Sequence, residues 1–497
     1  MQAAAQALTP DLLALSASGE GPFALSLGDG KMLECERIVR RVPGSRLVCQ
    51  GSWQGRGVFA KIFLGERAER HAARDRQGVQ WLVERNILTP ALLHAAPLRD
   101  GAGQILLYEA IPHCSNAEEY LHAIAADDGA RLVLMIALVR VVAALHQAGL
   151  MQTDLYLKNF LLQGDRIYTL DGDGIRQCRR ALRPGAALAN LALLLSKFDV
   201  VDDVYIPHAL QAYADARGWK ADAGMLDLLK CRAWAYRCRV AQRYAMRKVL
   251  RNCTDVRAER SFARFLAVAR ARQSPDLQQM IDHPDAWLDS ADCRRLKNGN
   301  TCTVGLVASG ERKIVIKRYN IKSFWHGLNR ALRKTRAAVS WSNAHLLGMY
   351  GVSTARPLAL IESRFGPIRR ASYFLAEWVD GPDIAEVFAD ATMTEDGRRE
   401  VARRMVGLLH KLYLLGIEHG DMKATNIKIV GCDPWLLDLD GMRQHRLGWW
   451  FGRRHARDLR RFLKNWHNAP EIRAVLVSAL REIYGNDPVL QYAGITE

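Results

Sequence analysis

Residues 149–177 read GLMQTDLYLKNFLLQGDRIYTLDGDGIRQ, and residues 416–444 read GIEHGDMKATNIKIVGCDPWLLDLDGMRQ. Each stretch places an Asp five residues after its first Gly: Asp154 after Gly149, and Asp421 after Gly416. Each has an Asn five residues further on, Asn159 or Asn426, and another Asp seventeen residues after the first, Asp171 or Asp438. Both end in Asp-Gly-x-Arg-Gln. Shared offsets and a shared tail mark an internal repeat, so the chain reads as a tandem duplication. Asp440 offers a second carboxylate, but Asp438 directly ends the apolar run PWLLD and keeps the common offset, so Asp438 is preferred.

Outward from this core the two halves keep the same neighbours. Before each Asp comes an amphipathic helical pattern, RLVLMIALVRVVAALHQ at 131–147 or RRMVGLLHKLYLL at 403–415. After each Asn come two strand-like runs joined by a turn, FLLQGDRIYTLD and IKIVGCDPWLLD. Further upstream, GVFAKIF and RKIVIKRY set Lys61 and Lys317 among apolar residues, and alternation puts each Lys on one face of a strand. Between each Lys and its Asp lie a helical stretch, an LTP or VSTARP turn, and a strand ending in Glu109 or Glu377.

This is the order of parts in a protein-kinase-like fold. It predicts an α+β chain of two protein-kinase-like domains in tandem, each with a small mixed β-sheet lobe and a mainly helical lobe. Phosphoryl transfer asks little covalent work of a protein, so a cation on the phosphates, two ligands on Mg²⁺ and one carboxylate at the nucleophile account for most of it. In that order Lys61 and Lys317 reach the phosphates of ATP, and Glu109 and Glu377 end the hinge strands. Asp154 and Asp421 accept the hydroxyl proton, while Asn159 with Asp171, and Asn426 with Asp438, hold Mg²⁺. A clean Gly-x-Gly-x-x-Gly is missing. The candidates for a phosphate cradle are Gly51, Gly55 and Gly57 in GSWQGRG, and Gly299 and Gly305 in GNTCTVG.

The halves also depart from one another. The helix that should offer an acid to the strand Lys has Asp75 in the first half and Ser340 in the second. Gln152-Thr-Asp154 stands where the second half has His419-Gly-Asp421, and Asn190 stands where it has Asp458 at the start of ARDLRRF. One half can therefore be a pseudokinase, and which one is left open. His146 and His410 read as packing residues.

At 497 residues with 49% apolar and 25% charged content, the chain is long enough for several folded domains. Seventy Lys plus Arg against 52 Asp plus Glu give a formal charge of +18, which favours an anionic partner. No nucleic-acid motif accompanies that charge, so nucleic acid is not expected. The ten cysteines show no C-x-x-C pair and read as reduced thiols. The opening residues lack a secretory pattern, and the most apolar run, 132–145, is short and contains Arg140, so it reads as a buried helix. The domain plan is an extension at 1–32, a first domain at 33–285 that includes a basic helical segment at 228–272, and a second domain at 292–497. From 230 to 272 there are thirteen Lys or Arg and two acids. On a helical wheel Cys231, Trp234, Cys238, Ala241, Ala245 and Val249 share one arc, with Arg237, Arg239, Arg243 and Arg247 among the cations opposite. Such a face is either solvated or docks on an anionic bilayer, and Trp449 and Trp450 beside a second cationic run fit an interfacial surface as well as they fit packing.

A narrower resemblance rests on Lys317-Arg-Tyr-Asn, the basic HGLNRALRKTRAAVSW stretch, the GVSTARPLA turn and ARDLRRFLKNW, with RLVCQGSWQGRGVFAKIF, TPALL, DLYLKNFLL and TLDGDG in the first half. Over roughly 33–200 and 292–470 the chain resembles the bacterial lipopolysaccharide kinase family, which phosphorylates Kdo or heptose of the inner core. The resemblance implies an ATP-dependent sugar O-phosphotransferase, cytoplasmic and peripheral at the inner-membrane face, acting on a lipopolysaccharide precursor or another anionic glycolipid. It places the family's phosphate-binding Lys at Lys61 and Lys317, its base at Asp154 and Asp421, and its Mg²⁺ ligands at Asn159, Asp171, Asn426 and Asp438. The alternatives are a kinase of another small molecule or protein, and a catalytically dead scaffold that binds glycolipid or partner enzymes.

Overall fold

The computed structural model describes residues 11–17, 21–98, 103–310, 312–320, 334–366, 368–446 and 448–495. The chain divides into two compact units, Met1–Phe198 with Asp202–Tyr236, and Asp199–Val201 with Arg237–Glu497. The division falls inside the helix Ala223–Met246 rather than at 285–292.

In the first unit six antiparallel strands run in the order Phe23–Ser26, Met32–Val42, Arg46–Trp53, Arg56–Leu64, Gly103–Glu109, Leu92–Pro97. Phe23–Ser26 pairs with Met32–Val42, and Leu12, Leu25 and Leu27 enter the same core, so the described residues before 33 belong to this lobe rather than to a separate extension. Inward and outward residues alternate without a break along Arg46–Trp53, the signature of a strand with one buried face. On Arg56–Leu64, Val58, Ala60 and Ile62 are buried and Lys61 faces the other side, toward the helix Ala68–Glu84. The helical lobe centres on Asp128–Gln147, whose first turn is capped by the Asp127 carboxylate. This helix is long and apolar enough by length and composition to cross a bilayer. Here it buries Leu134, Leu138, Val139 and Val142 against Leu188, Leu191 and Leu210, packs Leu145 with Leu82, Leu150 and Ile175, and leaves Arg140 exposed.

The second unit has a seven-stranded antiparallel sheet in the order Val256–Arg260, Arg264–Ala269, Pro357–Phe365, Ile368–Glu377, Arg312–Tyr319, Cys302–Ser309, Arg294–Gly299. The hairpin at 256–269 extends the sheet beyond Pro357–Phe365, so the segment read as helical to residue 272 is helix only to Met246, with a short 3₁₀ turn after it. Cys238, Ala241, Ala245 and Val249 are buried on the expected arc, but Cys231 is exposed and Arg237 is buried. Lys317 faces away from Ile314 and Ile316, as Lys61 faces away from its apolar neighbours, and the helix Arg336–Met349 lies on that side. The helical lobe is built around Glu395–Leu414, N-capped by Thr394. Residues 326–333, the first half of the basic stretch 326–341, lie outside the described residues, as does the Trp449 side chain. A small antiparallel sheet with one helix, followed by a helical lobe, gives each unit the two-lobed plan of a protein-kinase-like domain.

Candidate active site

Both halves fold the repeated stretch into the same sequence of parts. A strand following the long helix leads into a 3₁₀ turn, Leu157–Asn159 or Ala424–Asn426, and then a two-stranded hairpin. The same hydrogen bonds recur. Asn159 Nδ2 donates to the Asp154 carbonyl at 2.8 Å and Asn426 Nδ2 to the Asp421 carbonyl at 2.9 Å. The Leu170 and Leu437 amides donate to the Asn159 and Asn426 carbonyls at 2.8 Å each. Beyond the hairpins Asp171 and Asp438 adopt φ of 66° and 57°. A left-handed conformation costs a residue other than Gly about 1–3 kcal/mol and concentrates at functional sites. Its presence at both positions singles out Asp438, and not Asp440, as the partner of Asp171.

In the first unit Lys61 Nζ lies 2.7 Å from Asp75 Oδ2 and 3.3 Å from Asp171 Oδ1. Asp75 is fully buried and also takes a short hydrogen bond from the Tyr108 hydroxyl. Burial opposes the charged Lys61, but Asp75 and Asp171 outweigh it and hold its pKa above the ordinary lysine value. Burial would raise Asp171, yet Lys61 and Arg46 hold its carboxyl below the usual range. The helix reaches the loop at Asp171 by backbone approach: a Cβ at Gly78 would collide with the Gly172 carbonyl. Asp154 has Lys197 nearby, and that ammonium lies 4.4 Å over the Tyr156 ring.

In the second unit Lys317 contacts Asp438 directly and lies 3.5 Å from Asp440. The helix offers no carboxylate there. Ser340 hydrogen-bonds Tyr319 at 2.9 Å, and Arg336 pairs with Asp440 at 2.6 Å. Burial would raise Asp438, and Lys317 holds it low. Asn343 Nδ2 donates to the carbonyls of Leu439 and Met442 at 2.8 and 3.0 Å, tying the helix to the loop after Asp438 by a side chain. Below Asp421, the Asp458 carboxylate accepts from the His419 amide at 2.7 Å and the Gly420 amide at 3.0 Å. Burial pushes Asp458 up to about 6 against those two donors. In the first unit Asn190 donates to the Gln152 carbonyl at 2.9 Å and accepts from His146, which also bonds Tyr213.

A cavity of roughly 360 Å³ opens between the second unit's sheet and this loop. Leu296, Val304, Val315 and Phe374 give it an apolar wall, the strand end at Ala376–Val379 forms one edge, and Lys317, Asn426 and Asp438 lie at the polar end. That size and lining fit a nucleotide. A carboxylate and a carboxamide are hard oxygen donors of the kind Mg²⁺ takes alongside phosphate oxygens, so Asn426 and Asp438 fit the ion.

The structure brings together Lys61, Asp171 and, through the loop bonds, Asn159 and Asp154; in the second unit it brings together Lys317, Asp438, Asn426 and Asp421. Glu377 borders the cavity and pairs with Arg272 at 3.4 Å, and Glu109 ends its strand at an exposed position. The expected glycine cradle needs correction. Gly51 lies within Arg46–Trp53, where the partner strand bulges and a Cβ would collide with the Glu34 carbonyl. Gly55 turns the hairpin at the end of the strand away from Lys61, and Gly57 is the second residue of that strand, opposite Ser52. The turn nearer Lys61 is Pro43-Gly44-Ser45, with Gly44 at φ 67°. Gly305 is a mid-strand packing position against Cys293 and Leu288, while Gly299 sits beside the hairpin turn on the Lys317 side. Sequence reading also missed Lys423, whose ammonium lies 2.8 Å from Asp421, and Arg461, 3.7 Å from it. The Asp-x-Lys spacing at 421–423 was the available signal.

The family model described as the lipopolysaccharide kinase (Kdo/WaaP) family matches residues 64–199 and 278–481. No curated protein matches the chain. Among solved structures the chain is similar to WaaP in complex with acyl carrier protein, at 20% identity and a TM-score of 0.31 over 40% of this chain and 88% of that one. It is also similar to a rhoptry kinase from Toxoplasma gondii, at 16% identity and a TM-score of 0.26 over 32% and 52% of the two chains.

Proposed function

The chain belongs to the lipopolysaccharide kinase (Kdo/WaaP) family, and we propose that its second domain transfers the γ-phosphate of ATP to a hydroxyl of heptose or Kdo in the lipopolysaccharide inner core. The observation that carries this reading is the convergence of Lys317, Asn426 and Asp438 on a nucleotide-sized cavity whose loop also holds Asp421. Asp421 accepts the proton of the acceptor hydroxyl as its oxygen bonds to the γ-phosphorus and the bond to the β-phosphate oxygen breaks, releasing ADP. Lys317 places its charge on the nucleotide phosphates, and Lys423, beside Asp421, is placed to meet the transferred group. Mg²⁺, held by Asn426 and Asp438, would neutralise phosphate charge. Asp458 fixes the His419–Gly420 backbone from below, so the base is held without a search for its position.

The first domain keeps the Lys61–Asp75 pair but has Gln152, Tyr156 and Asn190 where the second has His419, Lys423 and Asp458. We read it as the non-transferring copy of a duplicated kinase. The exposed Arg239, Arg243 and Arg247 support attachment to the anionic inner-membrane face, where a glycolipid acceptor is presented. Mass analysis of core oligosaccharide from cells lacking the protein tests the assignment. One phosphate should disappear and return with the wild-type chain but not with Asp421→Ala, and an unchanged core would sink the reading.

A further inference from the structure

The second unit's sheet carries one hairpin that the first unit's sheet lacks among the described residues, Val256–Arg260 with Arg264–Ala269, added outside Pro357–Phe365. The register Arg264↔Ser363 brings the turn of this hairpin beside the next turn in the sheet. The Arg364 amide donates to the Ala263 carbonyl at 2.7 Å and the Gly366 amide to the Phe262 carbonyl at 2.9 Å, lacing the two turns together. Phe262 and Phe365 meet edge to face, with ring centroids 4.9 Å apart, yet they stay 64% and 55% exposed. Gly366, at φ 59°, makes room for the pair, since a Cβ there would press on the Phe262 ring at 3.0 Å. Ile368 adds a third exposed apolar side chain.

Two aromatic rings held outward by a rigid double turn are costly in water unless something covers them. Their surroundings say what. Arg260 and Arg370 are exposed, and among the described residues neither has a carboxylate partner; Arg370 lies 5.7 Å over the Phe365 ring. The nearby acids are already committed, Glu362 to Arg364 and Arg369, and Glu259 to Arg257. A second copy of this chain would bring like charge to like. A base-stacking platform needs open ring faces, and here one ring takes the other's edge and carries an arginine.

We propose that this double turn is a bilayer-docking wedge, in which Phe262, Phe365 and Ile368 enter the interfacial layer of an anionic membrane while Arg260 and Arg370 pair with lipid phosphates. Phe rings beside cations suit that layer, where the rings lose water and the guanidinium groups keep polar partners. The wedge goes beyond the phosphotransfer reading, and its test needs no substrate. The full-length protein is sedimented with vesicles of phosphatidylethanolamine plus phosphatidylglycerol, and with vesicles of phosphatidylcholine alone. The expected result is binding to the anionic vesicles only, weakened about tenfold or more by Phe262→Ala with Phe365→Ala, and similarly by Arg260→Glu with Arg370→Glu. Wild-type binding by the aromatic double variant overturns the wedge, as does failure of the wild type to bind anionic vesicles. A change of oligomeric state in the aromatic variant at protein concentrations free of lipid also overturns it, because the tip would then be an interface between copies. Quenching of Phe262→Trp fluorescence by brominated lipid should place that residue within the layer, and its absence counts against the proposal.

Discussion

The two domains hold a lysine against the aspartate after the hairpin, Asp171 or Asp438, by different means. In the first, the helix comes close enough for backbone to touch backbone, Gly78 against Gly172, and supplies Asp75 to Lys61. In the second, the residue at the place of Gly172 is Leu439, and its side chain forbids that approach. Asn343, at the place of Gly78, spans the gap with two hydrogen bonds to loop carbonyls, and Arg336 rather than an acid enters the charge network. Both lysines lie over a tyrosine ring, Lys61 at 5.2 Å from Tyr108 and Lys317 at 5.1 Å from Tyr319, although the two tyrosines come from different strands. An absent helix acid is therefore poor evidence of a dead kinase when another network holds the lysine. The loop around Asp421 is the better discriminator, since among the described residues only the second domain braces it with a carboxylate on two amides and pairs its Asp with a lysine two residues on, at 2.8 Å.

The largest expected effect breaks the comparison at the base. Asp421→Ala should lower single-turnover phosphate transfer by about 10²–10⁴-fold while sparing ATP binding. Asp154→Ala should leave turnover within about twofold, and the reverse result would make the first domain the catalyst. Next comes the metal. Asp438→Asn should weaken Mg²⁺-dependent nucleotide binding in the second domain by more than about tenfold, because an amide cannot replace the charge that holds the ion. Titration with a fluorescent nucleotide in magnesium and in chelator checks it, and equal affinities in the two conditions for wild type would remove the site.

Much of this was legible from local pattern. The offsets joining Asp421, Asn426 and Asp438 mark a loop, a turn and a hairpin, and alternation around Lys61 and Lys317 shows which way each side chain faces. The failures came from long-range pairing. Nothing near Arg264 says that it will pair with Ser363, so the hairpin at 256–269 was read as a continuation of the basic helix. GSWQGRG has the composition of a loop, yet Gly51 is there because a neighbouring strand bulges toward it. Arg237 looked outward on a helical wheel because the wheel cannot show which neighbours surround the helix at each turn.

The helix-to-loop joint offers the next test. Gly78→Ala puts a methyl group into the Gly172 carbonyl, so the helix must shift; overpacking of this kind costs about 1–3 kcal/mol. Asn343→Ala leaves two buried carbonyls short of a donor, at about 1–3 kcal/mol. The comparison predicts different consequences for similar losses of stability. Gly78→Ala should lower the denaturation midpoint with transfer activity nearly unchanged, whereas Asn343→Ala should lower both. Equal loss of activity in the two variants would mean that the first domain's metal loop takes part in the reaction.

The smallest effect, and the sharpest, concerns the brace. Asp458 titrates at about 6 in the fold against an ordinary 3.8, because burial outweighs its two amide donors. A carboxyl raised in this way binds its proton more tightly folded than unfolded. Its contribution therefore disfavours the folded state progressively as pH rises from about 4 to about 6, and it cannot be the cause of unfolding on acidification. Activity should move in the opposite direction. The ionised group accepts from both His419 and Gly420, and protonation weakens its hold on the backbone beside Asp421. Turnover should thus fall several-fold below about pH 6 while the protein stays folded by circular dichroism. Asp458→Asn, which imitates Asn190 of the first domain, should lower the plateau several-fold and flatten that acid limb. If the limb survives in Asp458→Asn with the same midpoint, the titrating group lies elsewhere, and the charged brace does not account for the difference between the two loops.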